Sequence, residues 1–189
     1  MSRTLSPHYM ITGEFADYAD FQDKLEQALK MGSKIVQLRC KGMDDAKYRE
    51  VTHLAEVICH RFEVPLLLAT TVDLFVETNA NGLHLSSDRL GDFSERPIAT
   101  DKILSVSCHT KADLELADRL GADILLLSPV KPTTSHPDLP GIGWNHFREM
   151  TEKLEQPVYG LGGMQPEDVD AAQAAGAQGV AATAGYWGQ

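Results

Sequence analysis

Three side chains in the stretch SKIVQLRCKG, residues 33–42, are of types that bind anions: Gln37, Arg39 and Lys41. They fall on every second residue, and side chains two apart in a strand share one face. The centre of the stretch, Ile35-Val36-Gln37-Leu38, reads as a strand buried on both faces. A guanidinium buried without a partner is very costly. The face carrying these three residues therefore meets solvent, a neighbouring carboxylate or a bound anion. For a phosphate or diphosphate, Arg39 would give bidentate geometry, Lys41 a point charge and Gln37 an orienting hydrogen bond. A second candidate lies in GLGGM and ATAGY, around Gly162, Gly163, Ala184 and Gly185. Glycines there allow a backbone to approach a phosphate closely, and N–H groups at a helix start can hold it. The same glycines would equally serve tight turns.

The elements that must position these groups alternate between strand and helix patterns. HYMIT (8–12), KIVQLR, PLLLAT, GLHLSS, ILSVSC, DILLLSP, PVYGLGG and GVAATA read as eight strands. Between them, residues 20–32 repeat apolar side chains at helical spacing (Phe21, Leu25, Ala28, Leu29) up to a stop at Gly32, and 44–63 do the same through Tyr48, Val51, Ala55, Ile58 and Phe62. Further helices are expected at VDLFVETNA, 111–120 and 144–155, and after Pro166, where Glu167 and Asp168 favour the positive helix end. Residues 88–102 read as a loop with one helical turn. A weak internal repeat of helix end, small residue and apolar strand recurs before strands two, four, six and eight. Eight such units in a single domain, 1–189, predict a (β/α)8 TIM barrel; an open doubly wound sheet is the alternative. At 189 residues the barrel is short, and with only GYWGQ after strand eight its last helix is truncated or missing. Tyr186 and Trp187, or a partner, would cover that groove.

In such a barrel the strand C-termini form the mouth. Thr12, Thr70, Ser86, Ser107, Ser128, Thr133 and Ser135 fall there, with His84 inside strand four, His109 after strand five and His136 after strand six. Histidine is the side chain that carries protons near neutral pH, although each of these three could as well be a structural hydrogen-bonding residue.

The chain carries 17 basic and 27 acidic side chains, a formal charge of −10, which argues against nucleic acid and anionic membranes as partners. Any anion site must be a local basic pocket. Cys40, Cys59 and Cys108 show neither CxxC nor zinc spacing and read as thiols of a reducing cytoplasm. No signal peptide and no membrane-length apolar run is visible.

QLRCK, GLHLSS, SVSCHT, LGADILLLSPVKPTTSH, PVYGLGGM and AGAQGVAATAG, in this order and over nearly the whole chain, resemble the thiamine phosphate synthase/TenI family. The GYWG ending is similar to the compact version fused behind Nudix hydrolases, which makes a homodimer or a Nudix-type partner an expectation. The resemblance implies a (β/α)8 barrel that joins an aminopyrimidine diphosphate to a thiazole phosphate, with Mg²⁺ bridging the diphosphate. It implies that Gln37, Arg39 and Lys41 bind the diphosphate, that Ser107 acts at the mouth, and that Thr133, Ser135, Gly163 and the backbone at Ala184 and Gly185 grip the thiazole phosphate.

The departures from the family pattern bear on the metal and on catalysis. The family's metal-binding Asp after strand three is Thr70 here, preceded by Ala69, and the second falls at Arg89, with Asp88 one residue earlier. The metal ligands are therefore unknown. A Lys of the family is His136. TenI-type tautomerases, which isomerise a thiazole carboxylate phosphate, place their catalytic His at Pro129, so His109, His84 or His136 would have to replace it. Synthase, tautomerase and non-catalytic phosphate-binding module all remain open on these residues, with His109, Ser107 and His136 as the catalytic candidates and Thr70 and His84 among the binding ones.

Overall fold

The computed structural model describes residues 5–133 and 140–188. Eight parallel strands pair in sequence order and close, β8 back onto β1, into the expected barrel. They are β1 His8–Ile11, β2 Ile35–Leu38, β3 Leu66–Leu68, β4 Gly82–Leu85, β5 Ile103–Cys108, β6 Ile124–Leu127, β7 Val158–Leu161 and β8 Gly179–Ala182. The outer layer holds α1 Tyr18–Lys30, α2 Asp45–Arg61, α3 Val72–Val76, α4 Lys111–Arg119, α5 Gly143–Thr151 and α6 Val169–Ala174. After β4 the outer element is a 3-10 turn over Ser87–Asp92, and Pro166–Asp168 form a second such turn that leads into α6.

The helices sit where their apolar stripes require. Phe21, Leu25, Ala28 and Leu29 are the buried face of α1, and Asp17 caps its first turn by accepting from the Asp20 N–H at 2.9 Å. In α2 the buried face is Tyr48, Val51, Thr52, Ala55, Ile58 and Cys59, while Phe62 stands at the C-cap, half-buried. Alternate strand residues point inward. Tyr9, Ile11, Ile35, Leu67, Ile124, Leu126, Tyr159 and Ala181 pack one another inside the barrel, with the Tyr9 and Tyr159 rings 5.4 Å apart. This packing closes the barrel below its mouth.

Among the described residues no helix follows β8; residues 183–187 turn back over the barrel end. Tyr186 and Trp187 are buried there, as expected for side chains covering that groove. The Trp187 ring lies 5.5 Å from Phe21 and its indole N–H donates to Glu14 O at 2.8 Å. Tyr186 Oη meets His8 Nδ1 at 2.9 Å. No helix of the described residues is long and apolar enough to cross a membrane.

Candidate active site

The mouth is built over a polar layer that crosses the barrel. Gln37, Ser105 and His84 are buried inward-facing residues of β2, β5 and β4, and Tyr9 reaches up to them from β1. The Tyr9 hydroxyl donates to Gln37 Oε1 at 2.8 Å and lies 3.2 Å from Ser105 Oγ. His84 Nδ1 is 3.0 Å from Ser105 Oγ, and its Nε2 is 3.0 Å from Ser107 Oγ.

Each hydroxyl has one proton, so the direction of this chain can be deduced. Tyr9 spends its proton on Gln37, hence Ser105 donates to Tyr9. Ser105 then accepts from His84 Nδ1–H. Burial, reinforced by the nearby Arg39 charge, pushes the His84 pKa down to about 3, so the ring is neutral and Nε2 is an acceptor. Ser107 donates its proton inward to Nε2 and turns its lone pairs to the half-open mouth. With both ring nitrogens on serines, His84 positions Ser107, and the neutral ring, its one proton held on Nδ1 toward Ser105, has no second proton to give at neutral pH.

Around the rim, Arg39 and Lys41 are exposed at the end of β2, on the inward-facing parity of Gln37. Thr12 fixes this end of β2: its Oγ1 accepts from the Arg39 N–H at 2.9 Å. Thr70, after β3, offers its carbonyl to Arg89 Nη1 at 2.6 Å. Tyr48, pushed well above the usual tyrosine range by burial, also bonds the Thr70 side chain. Across the mouth, His109 Nδ1 lies 2.9 Å from Ser128 O and 3.2 Å from Ser128 Oγ. These contacts fix the exposed His109 ring at the end of β5.

The β6–β8 side is organised by close loop packing. Val130 N–H donates to Leu161 O at 2.8 Å and Lys131 N–H to Gly162 O at 3.1 Å, which extends the β6–β7 ladder into the loops. Gly162 and Gly163 have φ of +91° and +66°, and a Cβ on Gly163 would stand 2.6 Å from Pro132 O. Both glycines are thus required by the turn and by the neighbouring loop. Lys131 Nζ holds both Asp168 carboxylate oxygens, at 2.7 and 2.8 Å. Burial would raise the Asp168 pKa, but Lys131 and the Gln165 N–H outweigh it and the net direction is down. Gly185 is buried against Gln165 and Pro166, which brings the end of β8 to the start of the Pro166–Asp168 turn. Thr133, Gly163, Ala184 and Gly185 therefore belong to one side of the mouth. Ser135 and His136 lie outside the described residues.

The residues not foreseen are Tyr9, Ser105, Lys131 and Asp168. The signal for Tyr9 is a hydroxyl in an otherwise apolar strand; in the sequence Asp168 shows only the pattern of a helix-start charge. No group of three or more His, Cys, Asp or Glu side chains able to hold a metal ion occurs among the described residues. Asp88 is exposed and its pKa is lowered, chiefly by a hydrogen bond from Ser86.

A family model described as thiamine monophosphate synthase matches residues 8–185. The chain is 34% identical over 187 residues to a thiamine-phosphate synthase of Bacillus mycoides, covering 95% of this chain and 84% of that one. It is 30% identical over 173 residues to a putative thiamine-phosphate synthase 2 of Aquifex aeolicus, covering 92% and 93%. The fold is similar to that of a solved thiamine phosphate pyrophosphorylase from Pyrococcus furiosus, with a TM-score of 0.77 at 21% identity, covering 96% of this chain and 86% of that one.

Proposed function

The chain belongs to the thiamine monophosphate synthase family, and from that premise we propose that it couples an aminopyrimidine diphosphate to a thiazole phosphate. The observation that supports this reading is that two chemically different sets of groups suited to anions stand around one mouth. Arg39 and Lys41 stand at the end of β2, and the glycine-lined turns after β7 and β8 stand elsewhere on the same rim, three and two strands away around the ring.

In this reaction the bond between the pyrimidine methylene and the diphosphate oxygen breaks, and its electron pair leaves with pyrophosphate. The thiazole nitrogen then supplies the pair for the new carbon–nitrogen bond. Arg39 and Lys41 stabilise the charge gathering on the departing pyrophosphate, the kind of fixed electrostatic complement that lowers such barriers most. Ser107, with its lone pairs facing the mouth, suits the amino group or the electron-poor methylene of the pyrimidine better than a phosphate. His84 keeps it so oriented. The polar layer of Gln37, Tyr9 and Ser105 holds the His84 tautomer.

The resemblance brings Mg²⁺ with it, and Mg²⁺ takes carboxylate oxygens. At the ends of β3 and β4 stand Ala69, Thr70 and Arg89, and Asp88 is engaged by Ser86. This donor set does not fit the ion. The mismatch favours a second reading, capture of the phosphorylated ligands without turnover. Incubating the protein with both substrates and following pyrophosphate release and thiamine phosphate formation separates the two. Turnover that falls sharply in Ser107→Ala supports the synthase reading. Binding of both ligands with no product overturns it in favour of capture.

A further inference from the structure

Gln37, Tyr9, Ser105, His84 and Ser107 form one line of hydrogen bonds beneath the mouth, with links of 2.8, 3.2, 3.0 and 3.0 Å. Each inner member gives one bond and takes one, so the line can run in two directions. In the direction found here, Tyr9 donates to Gln37 Oε1, and the far end closes with Ser107 donating to His84 Nε2. In the other, the Gln37 amide turns over and gives an N–H to Tyr9. Tyr9 then donates to Ser105, Ser105 to His84 Nδ1, and the ring proton sits on Nε2, facing Ser107. Both arrangements hold the same number of protons. They differ in what Ser107 shows the mouth: lone pairs alone in the first, a free O–H in the second.

Tyr9 is the joint on which this difference turns. It is wholly buried, and its ring lies 5.4 Å from that of Tyr159, whose own hydroxyl is spent on Ser6 O at 2.6 Å. Burial pushes the Tyr9 pKa well above the usual tyrosine range, so the hydroxyl keeps its proton. That proton goes to Gln37, and the Tyr9 oxygen then accepts from Ser105. Removing the hydroxyl deprives Ser105 of this acceptor. A buried O–H left unpaired is costly, and His84 Nδ1 stands 3.0 Å away. Ser105 would turn to it, the ring would carry its proton on Nε2, and Ser107 would have an O–H to give.

We propose that Tyr9 is a positioning residue that sets Ser107 as an acceptor, and that the mouth thereby selects a pyrimidine bearing an amino group over one bearing an oxo group. An amino N–H finds the Ser107 lone pairs. A carbonyl oxygen in its place meets lone pairs with no hydrogen between them. A site built to receive an N–H rejects an analogue that lacks it, because the acceptor stays unpaired. This selection rests on the aminopyrimidine diphosphate proposed above as ligand, whereas the direction of the line can be read in the free protein.

15N NMR of the full chain, with the His84 signals assigned by their loss in His84→Asn, identifies the ring nitrogen that carries the proton. Calorimetry then compares the aminopyrimidine diphosphate with its counterpart carrying a ring carbonyl in place of the amino group. Wild type is expected to hold the proton on Nδ1 and to bind the amino compound about 100-fold more tightly. In Tyr9→Phe the proton should move to Nε2 and the preference should fall to about tenfold or less. A wild-type ring protonated on Nε2 overturns the proposal without any variant. A Tyr9→Phe protein that keeps Nδ1–H and the full preference also overturns it. Should Tyr9→Phe not fold, Ser105→Ala cuts the same line and is expected to give the same move to Nε2; an unchanged tautomer there overturns the proposal. A wild type with Nδ1–H that binds neither compound overturns the proposed ligand and the selection built on it, and leaves Tyr9 setting the direction of the line.

Discussion

The two halves of the barrel mouth handle charge in opposite ways. Around β2–β4, Arg39, Lys41 and Arg89 are side-chain cations with no carboxylate at ion-pair distance among the described residues, although the Arg89 charge helps to lower the Asp88 pKa. Around β6–β8 the one cation in the loop contacts described, Lys131, is already bound to Asp168, and what is presented is turn backbone around Gly162, Gly163 and Gly185. A side-chain cation can follow a multiply charged group that must leave. Backbone N–H groups in a rigid turn suit a small phosphate that must stay in register. The difference agrees with the proposed function, in which the diphosphate leaves from one half and the thiazole phosphate stays in the other.

Breaking the charged half should have the largest effect. Arg39→Ala should weaken pyrophosphate binding by about 100-fold, while thiazole phosphate binding, measured by the same calorimetry, changes by less than about twofold. Equal losses for both ligands would erase the distinction between the halves. Gly163→Ala attacks the other half. With φ at +66° and a Cβ 2.6 Å from Pro132 O, the turn must shift. Strain of about 1–3 kcal/mol should weaken thiazole phosphate about tenfold and leave pyrophosphate untouched. Loss of pyrophosphate instead would reverse the assignment.

The layer beneath both halves predicts a pH dependence. The folded-state pKa of His84 is about 3, against an ordinary 6.5. Between these values the unfolded chain binds a proton that the folded chain does not. The contribution of His84 is therefore complete above pH 6.5 and is lost as pH falls toward 3, at up to about 1.4 kcal/mol per pH unit. Denaturant titrations of wild type and His84→Asn should show this slope in wild type and its loss in the variant. Parallel slopes would mean that the ring does charge in the fold. The smallest effect is expected for Lys131→Ala. Its ion pair is partly exposed, so melting should fall by only about 2 °C. A much larger drop would show that the β6–β7 loop packing depends on the pair.

Much of the scaffold was legible because the strand and helix periods are strong. The α1 stripe is buried residue for residue, and Arg39 and Lys41 are exposed at the rim, but Gln37, expected beside them as an anion ligand, is buried with its Oε1 accepting from Tyr9. Contacts across the barrel were not legible. Tyr9 sits in an apolar strand and reads as core until closure brings β1, β2 and β5 around one point. His84 reads as a proton carrier until its burial and its two serine partners are known. Asp168 satisfies a helix-start pattern by itself, and only loop packing reveals that it also neutralises Lys131. The expected single helical turn after β4 is present, but its direction, which carries Arg89 back over Thr70, follows from no spacing in the chain.

The seam between β1 and β8 has a consequence for assembly. It joins His8 to Val180 and Tyr9 to Ala181, the first and last strands of the barrel. During synthesis β1 emerges early and must wait for nearly the entire chain before its second neighbour exists. Until then β1 keeps one open edge, and each newly made strand presents another, the kind of surface on which chains pair with each other. Closure also carries the longest sequence separation in the sheet, so it contributes most to making the fold slow. Tyr186 and Trp187, which dock just after β8, act as a latch on this final step, fastening the end of the barrel to α1 and to the start of β1 once the ring is complete.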